Sequence, residues 1–126
     1  MKLLEGKTAI VTGSGRGVGR GHCLHLAKNG AKVVVNDILL EEAQKVADEI
    51  KAAGGEAIAS NADIGSRAGC ELLVQQCVDA FGGIDIAINN AGIVRDKTLL
   101  KLEDADFDIV WRIHVMGTFW IAQPAA

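Results

Sequence analysis

Near its amino terminus the chain reads Thr12-Gly13-Ser14-Gly15-Arg16-Gly17-Val18-Gly19, with four glycines in eight residues. The stretch follows an apolar run, Ala9-Ile10-Val11, and precedes a helical pattern, so it predicts a turn that joins a buried strand to a helix. The first N–H groups of a helix have no partner within it, and the helix dipole adds positive potential there. We therefore predict that a diphosphate binds at this turn through backbone groups.

The rest of the chain alternates between strand and helix patterns. Strands are predicted near residues 7–12, 32–37, 56–60 and 84–89, and helices over 17–29, 40–53, 66–81 and about 104–122. Strands separated by helices pair in parallel, and right-handed crossovers place the first strand between the second and the fourth. We expect a doubly wound parallel α/β sheet of four strands with flanking helices, with its crevice at the carboxyl ends of strands one and four.

The two middle helices carry patterns typical of scaffold. The helix over 40–53 is predicted to pair Glu41 with Lys45 outside and to bury one apolar face, made of Ala43, Val46, Ala47 and Ile50. The helix after Ser66, which suits an N-cap, is predicted to end at Gly82-Gly83 and to bury Leu72, Leu73, Cys77 and Ala80.

The glycine turn fits T-G-x-x-x-G-x-G and not G-x-G-x-x-G, because neither Val18 nor Arg20 is a glycine. Three further motifs follow in order: Val33-Val34-Val35-Asn36-Asp37, Ala62-Asp63-Ile64 and Asn89-Asn90-Ala91-Gly92. Together the four motifs resemble the short-chain dehydrogenase/reductase family over essentially the whole chain. The resemblance implies a Rossmann-like dinucleotide-binding domain over residues 1–126 and hydride transfer between a nicotinamide cofactor and a secondary alcohol or ketone.

The choice between NAD and NADP depends on two residues. Asp37 closes the second strand, where a carboxylate can accept hydrogen bonds from the adenosine ribose and would repel a 2′-phosphate; a helix cap or a solvated turn acid is the alternative. Arg16 beside the turn can favour NADP in this family. Because an exposed ion pair contributes at most about 1 kcal/mol, we expect NAD to be preferred over NADP.

The resemblance also implies contacts for the rest of the cofactor. Asp63 would meet the adenine amino group while Ile64 holds the ring, although Asp63 is also placed to cap the helix that starts at Ser66. The small residues after the fourth strand would let the backbone approach the nicotinamide ribose. The expected cofactor-binding residues are Gly13, Ser14, Gly15, Arg16, Gly17, Val18, Gly19, Asp37, Asp63, Ile64, Asn89, Asn90, Ala91 and Gly92.

Catalysis in the family uses a serine, a tyrosine and a lysine, with the tyrosine exchanging a proton with the substrate oxygen. This chain contains no tyrosine and no serine after Ser66. We therefore expect it to be the cofactor-binding half, truncated before the catalytic residues and inactive alone. A non-enzymatic dinucleotide-binding or interaction module is the alternative that the missing tyrosine favours, and a nucleotide-binding regulator is a third.

His114 stands where most of the family carry an asparagine that anchors a catalytic water, so it is a candidate catalytic residue. With its neighbours it resembles the 3-hydroxyacyl-CoA dehydrogenase branch of multifunctional β-oxidation enzymes, which implies a 3-hydroxyacyl-CoA substrate. A core or interface histidine bonded to a carbonyl is an equal alternative. The last helix predicts a homo-oligomer because it is so apolar, with Phe107, Val110, Trp111, Ile113, Val115, Phe119, Trp120 and Ile121.

Composition excludes several other classes of protein. The net charge of −3 and the scattered basic residues disfavour nucleic-acid binding, and no apolar run is long enough for a membrane span or a signal segment, so we expect a cytoplasmic protein. Cys23, Cys70 and Cys77 form no C-x-x-C pair and are expected to be buried, reduced thiols. His22 and His25 lack partners at metal-ligand spacing, so no metal site is expected.

Overall fold

The structure is a computed structural model that describes residues 2–91 and 103–125. Its strands are β1 (Thr8–Val11), β2 (Lys32–Asn36), β3 (Ala57–Ser60) and β4 (Ile86–Ile88). Its α-helices are α1 (Gly17–Lys28), α2 (Leu40–Ala52), α3 (Arg67–Phe81), α4 (Asp104–Trp111) and α5 (Gly117–Ala125), and a π-helical segment, Arg112–Met116, joins the last two. The strands pair in parallel in the order β3-β2-β1-β4, which confirms the predicted topology.

Each face of the sheet is covered by a separate apolar core, because successive side chains of a strand point to opposite faces. On one face Val11, Val33 and Val35 pack with buried residues of α1 and α2. On the other, Ile10 and Val34 pack with α3 and with Ile121 of α5. Both faces are covered by helices, which fits a strand such as β2, whose run Val33-Val34-Val35 is apolar on both sides.

Helix α3 begins and ends as predicted but buries a narrower face. The hydroxyl oxygen of Ser66 accepts a hydrogen bond from the Gly69 N–H at 3.0 Å, and Gly82 ends the helix in the left-handed region with φ of 87°. The expectation that Leu72 and Ala80 are buried is wrong, because both are exposed. The buried stripe instead consists of Cys70, Leu73, Val74 and Cys77, whose i, i+3, i+4 and i+7 spacing places them on one side of the helix.

Helix α2 buries the four apolar residues predicted for it, Ala43, Val46, Ala47 and Ile50. The predicted ion pair between Glu41 and Lys45 is wrong. Nζ of Lys45 instead lies 3.6 Å from Oε1 of Glu42. Residues three and four apart are both neighbours on a helix surface, so sequence spacing alone does not choose between the two carboxylates.

The last helical region is interrupted where the sequence predicts one helix over 104–122. It runs to Ala125, but residues Arg112–Met116 adopt π-helical geometry. A Cβ added to Gly117, directly after this segment, would lie 3.0 Å from the Ile64 carbonyl oxygen, so the helix packs tightly on the loop after β3. Within the described ranges, no helix combines the length and the apolar character needed to cross a bilayer.

The three cysteines are free and buried, which confirms their predicted placement. Burial raises the pKa of each of the three thiols, Cys23, Cys70 and Cys77, to about 11. For Cys23 a hydrogen bond with Ser14 partly opposes that effect of burial on its pKa. At neutral pH these groups keep their protons, and because the thiolate is the reactive form they are poor nucleophiles.

Candidate functional site

The turn between β1 and α1 packs directly on the segment that follows β4. Gly13 has a φ of 60°, and a Cβ added to it would lie 2.7 Å from Cα of Ala91. A Cβ added to Gly19 would lie 2.5 Å from the Gly13 carbonyl oxygen and 2.6 Å from Nδ2 of Asn90. Side chains at these two positions would therefore push the turn away from the sheet edge.

Hydrogen bonds fix the same contact. Nδ2 of Asn90 donates to the Gly13 carbonyl at 3.1 Å, and the Ala91 N–H donates to Oγ1 of Thr12 at 3.1 Å. The structure thus brings the first and fourth motifs together, as their positions at adjacent strand ends predict. Asn89 is exposed and takes no part in these two hydrogen bonds, and Gly92 lies outside the described residues.

Helix α1 begins without a side-chain cap. Its N-cap residue, Arg16, makes no capping hydrogen bond, whereas Ser66 caps α3. Within the described part of the chain, the N–H groups of Gly17, Val18 and Gly19 find no acceptor. Unpaired donors at a helix start, next to glycines, leave room and partners for a phosphate group.

Asp37 lies across from this turn, half-buried at the end of β2. Its Oδ2 accepts a hydrogen bond from the Gly15 N–H at 3.0 Å, and its Oδ1 accepts one from the Leu39 N–H at 3.0 Å. The carboxylate therefore stabilises both the glycine turn and the start of α2. This is the structural role that the sequence analysis gave as the alternative for Asp37. Because one oxygen faces the glycine turn, the same side chain is also placed beside a ligand bound there.

Two further residues of the turn differ in their surroundings. Arg16 is exposed and lines the same space as Asp37, and it forms no ion pair with any residue in the described ranges. Ser14 is fully buried: its N–H donates to the Asn36 carbonyl at 2.8 Å and its hydroxyl donates to the Val11 carbonyl at 2.7 Å. The structure thus places Ser14 inside the fold and not at the open side of the turn.

The loop after β3 completes the site. Oδ1 of Asp63 accepts from the Gly65 N–H at 2.8 Å, and its carbonyl oxygen accepts from the Ser66 hydroxyl at 3.2 Å. Asp63 thus stabilises the turn that leads into α3, while Asp63 and Ile64 both line the open space next to Asp37. The Asp63 side chain does not itself cap α3, whose N-cap is Ser66, but holds the turn just before the helix, and this contact leaves Asp63 at the cleft.

These parts enclose one cleft of about 580 Å³ at the carboxyl ends of the strands, within the range of small-molecule sites. Its lining residues are Gly13, Arg16, Asn36, Asp37, Ile38, Ala62, Asp63, Ile64, Asn90, Ala91, Ile109 and Ile113. Seven of them were expected from the sequence, whereas Asn36, Ile38, Ala62, Ile109 and Ile113 were not among the expected contacts.

Sequence reasoning missed a buried polar network beneath the cleft. Oγ of Ser14 accepts from the Asn36 N–H at 3.1 Å, and Nδ2 of Asn36 donates to the Ser60 and Ala62 carbonyls. Oγ of Ser60 in turn donates to Oε1 of Gln76 on α3. The signal was present in the sequence, since Asn36 and Ser60 are polar residues that each follow three apolar residues at the end of a strand.

His114 lies in the π-helical segment, and its side chain is outside the described part of the structure. Its neighbour Ile113 reaches the cleft, as does Ile109 of α4. Single π-helical turns inside α-helices are frequent at functional sites. A metal-ligand cluster of three or more His, Cys, Asp or Glu side chains is not found among residues 2–91 and 103–125.

Comparisons with a family profile, with related sequences and with solved structures all give the same family. The short chain dehydrogenase family profile matches residues 7–126. Peroxisomal multifunctional enzyme A of Dictyostelium discoideum is 44% identical over 128 residues, covering 94% of this chain and 28% of its own length. A hydroxyacyl-CoA dehydrogenase of Mycobacterium tuberculosis is 44% identical over 128 residues, covering 98% of this chain and 40% of its own length.

Solved structures agree. A 7α-hydroxysteroid dehydrogenase complexed with NADH superposes with a TM-score of 0.92 at 37% identity, covering 97% of this chain and 48% of that one. A short chain dehydrogenase from Burkholderia cenocepacia in complex with NADP gives a TM-score of 0.93 at 38% identity, covering 97% and 50%. The chain spans about half or less of the proteins it matches. The doubly wound sheet, the ordered motifs around one cleft and the family match lead to one conclusion: this chain belongs to the short chain dehydrogenase family.

Proposed function

We propose that these 126 residues form the dinucleotide-binding part of an NAD-dependent oxidoreductase. One observation carries the proposal: the uncapped start of α1, with free N–H groups at Gly17, Val18 and Gly19, comes directly after Arg16, which lines the same cleft as the Asp37 carboxylate. A diphosphate would bind at the first and a ribose at the second.

The residues present fit a dinucleotide. The cleft has the volume of a small-molecule site, and the glycine turn leaves no side chain between the phosphates and the backbone. When bound, the nicotinamide ring supplies the hydride acceptor or donor. The chain's own contribution is to hold the diphosphate through backbone N–H groups, to orient the adenosine between Asp37 and Asp63, and to keep water from the apolar wall of Ile64, Ile109 and Ile113.

The preference for NAD is proposed from charge. Asp37 and the exposed Arg16 both line the cleft. With the adenosine ribose bound beside Asp37, as proposed, a 2′-phosphate would face its carboxylate, while Arg16 is the cation that would favour NADP. A neighbouring carboxylate that accepts a hydroxyl hydrogen bond outweighs a solvated arginine, because hydrogen bonds to charged groups contribute about 1.5–3 kcal/mol and exposed ion pairs about 1 kcal/mol or less.

An Asp37→Ala substitution is therefore expected to weaken NAD binding and to relax discrimination against NADP. The ratio of the NADP to the NAD dissociation constant should fall about tenfold or more, since each lost charged hydrogen bond corresponds to roughly that factor. Isothermal titration calorimetry of the 126-residue chain with both coenzymes measures the ratio directly.

The matched control is Asp79→Ala, which removes the same charge from the exposed face of α3, where the Asp79 carboxylate accepts a hydrogen bond from Gln75. It should leave the ratio unchanged. An unchanged ratio in the Asp37 variant would remove the reason for assigning NAD.

The substrate is proposed to be a secondary alcohol or ketone, with a 3-hydroxyacyl-CoA as the favoured class. Its support is the hydroxyacyl-CoA dehydrogenase among the relatives, together with His114 in the π-helical segment beside the cleft. The tyrosine that the family uses is absent from these 126 residues, so we propose that this part of the enzyme binds the coenzyme without turnover. The relatives are dehydrogenases and reductases, which does not favour the non-enzymatic alternative.

We further propose that the protein forms a homo-oligomer through its last helical region. Trp111, a large and mainly apolar side chain, is 48% exposed there. Static light scattering of the 126-residue chain should give a mass of at least a dimer. A Trp111→Lys variant should shift that mass toward the monomer, and a monomeric unsubstituted chain would contradict the proposal.

A further inference from the structure

A buried carboxamide lies beside Asp37, and the function proposed above leaves it without a role. Asn36 is the last residue of β2, is 2% exposed and lines the cleft. Its backbone is held on both sides by Ser14, which accepts from the Asn36 N–H at 3.1 Å and donates its own N–H to the Asn36 carbonyl at 2.8 Å. The position of this residue is therefore tied to the glycine turn.

The orientation of the carboxamide is fixed by its surroundings. Nδ2 donates to the Ser60 carbonyl at 3.3 Å and to the Ala62 carbonyl at 3.1 Å, so both of its hydrogens are used. The flipped orientation would place Oδ1 against two carbonyl oxygens, which repel it. Oδ1 of Asn36 is thus an acceptor that cannot exchange places with a donor.

This oxygen is the one polar atom of the side chain that the fold does not use. Among residues 2–91 and 103–125, no donor reaches Oδ1 of Asn36. In this same part of the structure, every side-chain nitrogen or oxygen that is fully buried has a hydrogen-bond partner. Oδ1 must therefore be accessible, and the space that Asn36 lines is the cleft. An acceptor held in a largely apolar cleft forms a strong hydrogen bond with a donor and opposes another acceptor.

We propose that Oδ1 of Asn36 accepts a hydrogen bond from the adenosine part of the bound dinucleotide, which makes Asn36 a second specificity-determining residue next to Asp37. The inference rests on the proposed dinucleotide binding. Adenosine offers two kinds of donor, the ribose hydroxyls and the adenine amino group. A 2′-phosphate in place of the hydroxyl, or a hypoxanthine oxygen in place of the amino group, would set an acceptor against this fixed acceptor.

The test compares three coenzymes on the 126-residue chain by calorimetry: NAD, NADP and nicotinamide hypoxanthine dinucleotide. Two ratios of dissociation constants are measured, NADP to NAD and hypoxanthine form to NAD. In an Asn36→Ala variant one of the two ratios should fall about three- to tenfold, the factor that corresponds to one neutral hydrogen bond. A fall in the first ratio assigns the ribose as the donor, and a fall in the second assigns the adenine.

The matched control is Ser60→Ala. Oγ of Ser60 accepts from the Ala62 N–H at 3.2 Å, so this change disturbs the same loop while leaving Oδ1 of Asn36 in place. Ser60→Ala should weaken the binding of all three coenzymes by the same factor and leave both ratios of dissociation constants unchanged. The proposal is overturned if neither ratio changes in the Asn36→Ala variant, or if Ser60→Ala changes them equally.

A second variant covers the case in which Asn36→Ala does not fold. Asn36→Ser keeps a hydroxyl that can donate to the Ser60 or the Ala62 carbonyl but no longer presents Oδ1 to the cleft, so one of the two ratios should fall as in Asn36→Ala, and two unchanged ratios would overturn the proposal. If the unsubstituted chain binds none of the three coenzymes, dinucleotide binding itself fails. If it binds them and the variants do not discriminate, only the role of Asn36 fails.

Discussion

Replacing Gly19 by alanine is expected to weaken NAD binding by the 126-residue chain at least about a hundredfold. An added Cβ would lie 2.5 Å from the Gly13 carbonyl oxygen, 2.6 Å from Nδ2 of Asn90 and 2.8 Å from Cα of Ser14. Two of these three atoms belong to backbone, which cannot rotate away, so the turn or the start of α1 must move. Isothermal titration calorimetry, paired with thermal unfolding of the same samples, measures the effect.

The size of the effect follows from where the displaced atoms lie. The Asn90 carboxamide donates to the Gly13 carbonyl at 3.1 Å, and the new methyl group would press on both partners of that bond. A shift of the turn also moves the free N–H groups of Gly17 and Val18 out of line with a bound phosphate. Because anion binding at a helix start depends on several aligned donors, a small displacement weakens all of them together.

Helix α1 offers its own control, Gly21→Ala. Gly21 lies two residues further along the same helix, and a Cβ added to it meets nothing within 4 Å. Alanine there should raise the free energy of unfolding by about 0.5–1 kcal/mol, through the higher helix propensity of alanine, and leave NAD affinity unchanged. If Gly19→Ala bound NAD as tightly as Gly21→Ala does, the turn would not be the diphosphate site.

The order of the strands and the location of the cleft could be predicted because both depend on local pattern. Apolar strands separated by helices restrict the topology to a few parallel arrangements, and strand ends that carry Gly13, Asp37, Asp63 and Asn90 meet at one edge of the sheet. The family resemblance indicated which ligand to expect there, a nicotinamide dinucleotide. None of this required knowledge of which side chains touch.

The features that were missed depend on contacts between distant segments. The side chain of Asn36 reaches the carbonyl of Ala62, and the loop at Ile64 packs on Gly117 after the π-helical segment. The sequence places Ser14 in a ligand-binding turn, yet in the structure its hydroxyl donates to the carbonyls of Val11 in β1 and Asn36 in β2. Only the folded chain shows which polar groups are used inside the protein and which remain for a ligand.

The second large effect is on stability, and it distinguishes Leu73 from its neighbour Leu72, which the sequence also predicts to be buried. Leu73→Ala is expected to lower the free energy of unfolding by about 2–5 kcal/mol, because Leu73 is fully buried in the core shared by β1, β2, α3 and α5. Folded domains are stable by only about 5–15 kcal/mol, so this change removes a large share of the total. Urea unfolding followed by tryptophan fluorescence measures it.

Leu72→Ala is the matched control, since it makes the same chemical change one residue away on the same helix. Leu72 is 51% exposed, and its replacement by alanine should alter the free energy of unfolding by no more than about 0.5 kcal/mol. Adjacent residues of a helix point about 100° apart, so only one of the two can lie on the buried stripe that contains Cys70, Val74 and Cys77. Equal losses of stability for the two variants would mean that α3 is rotated relative to the sheet, with Leu72 packed against a surface in solution. A loss confined to Leu72→Ala would place the core of this face about 100° further around the helix, on the side that Leu72 faces.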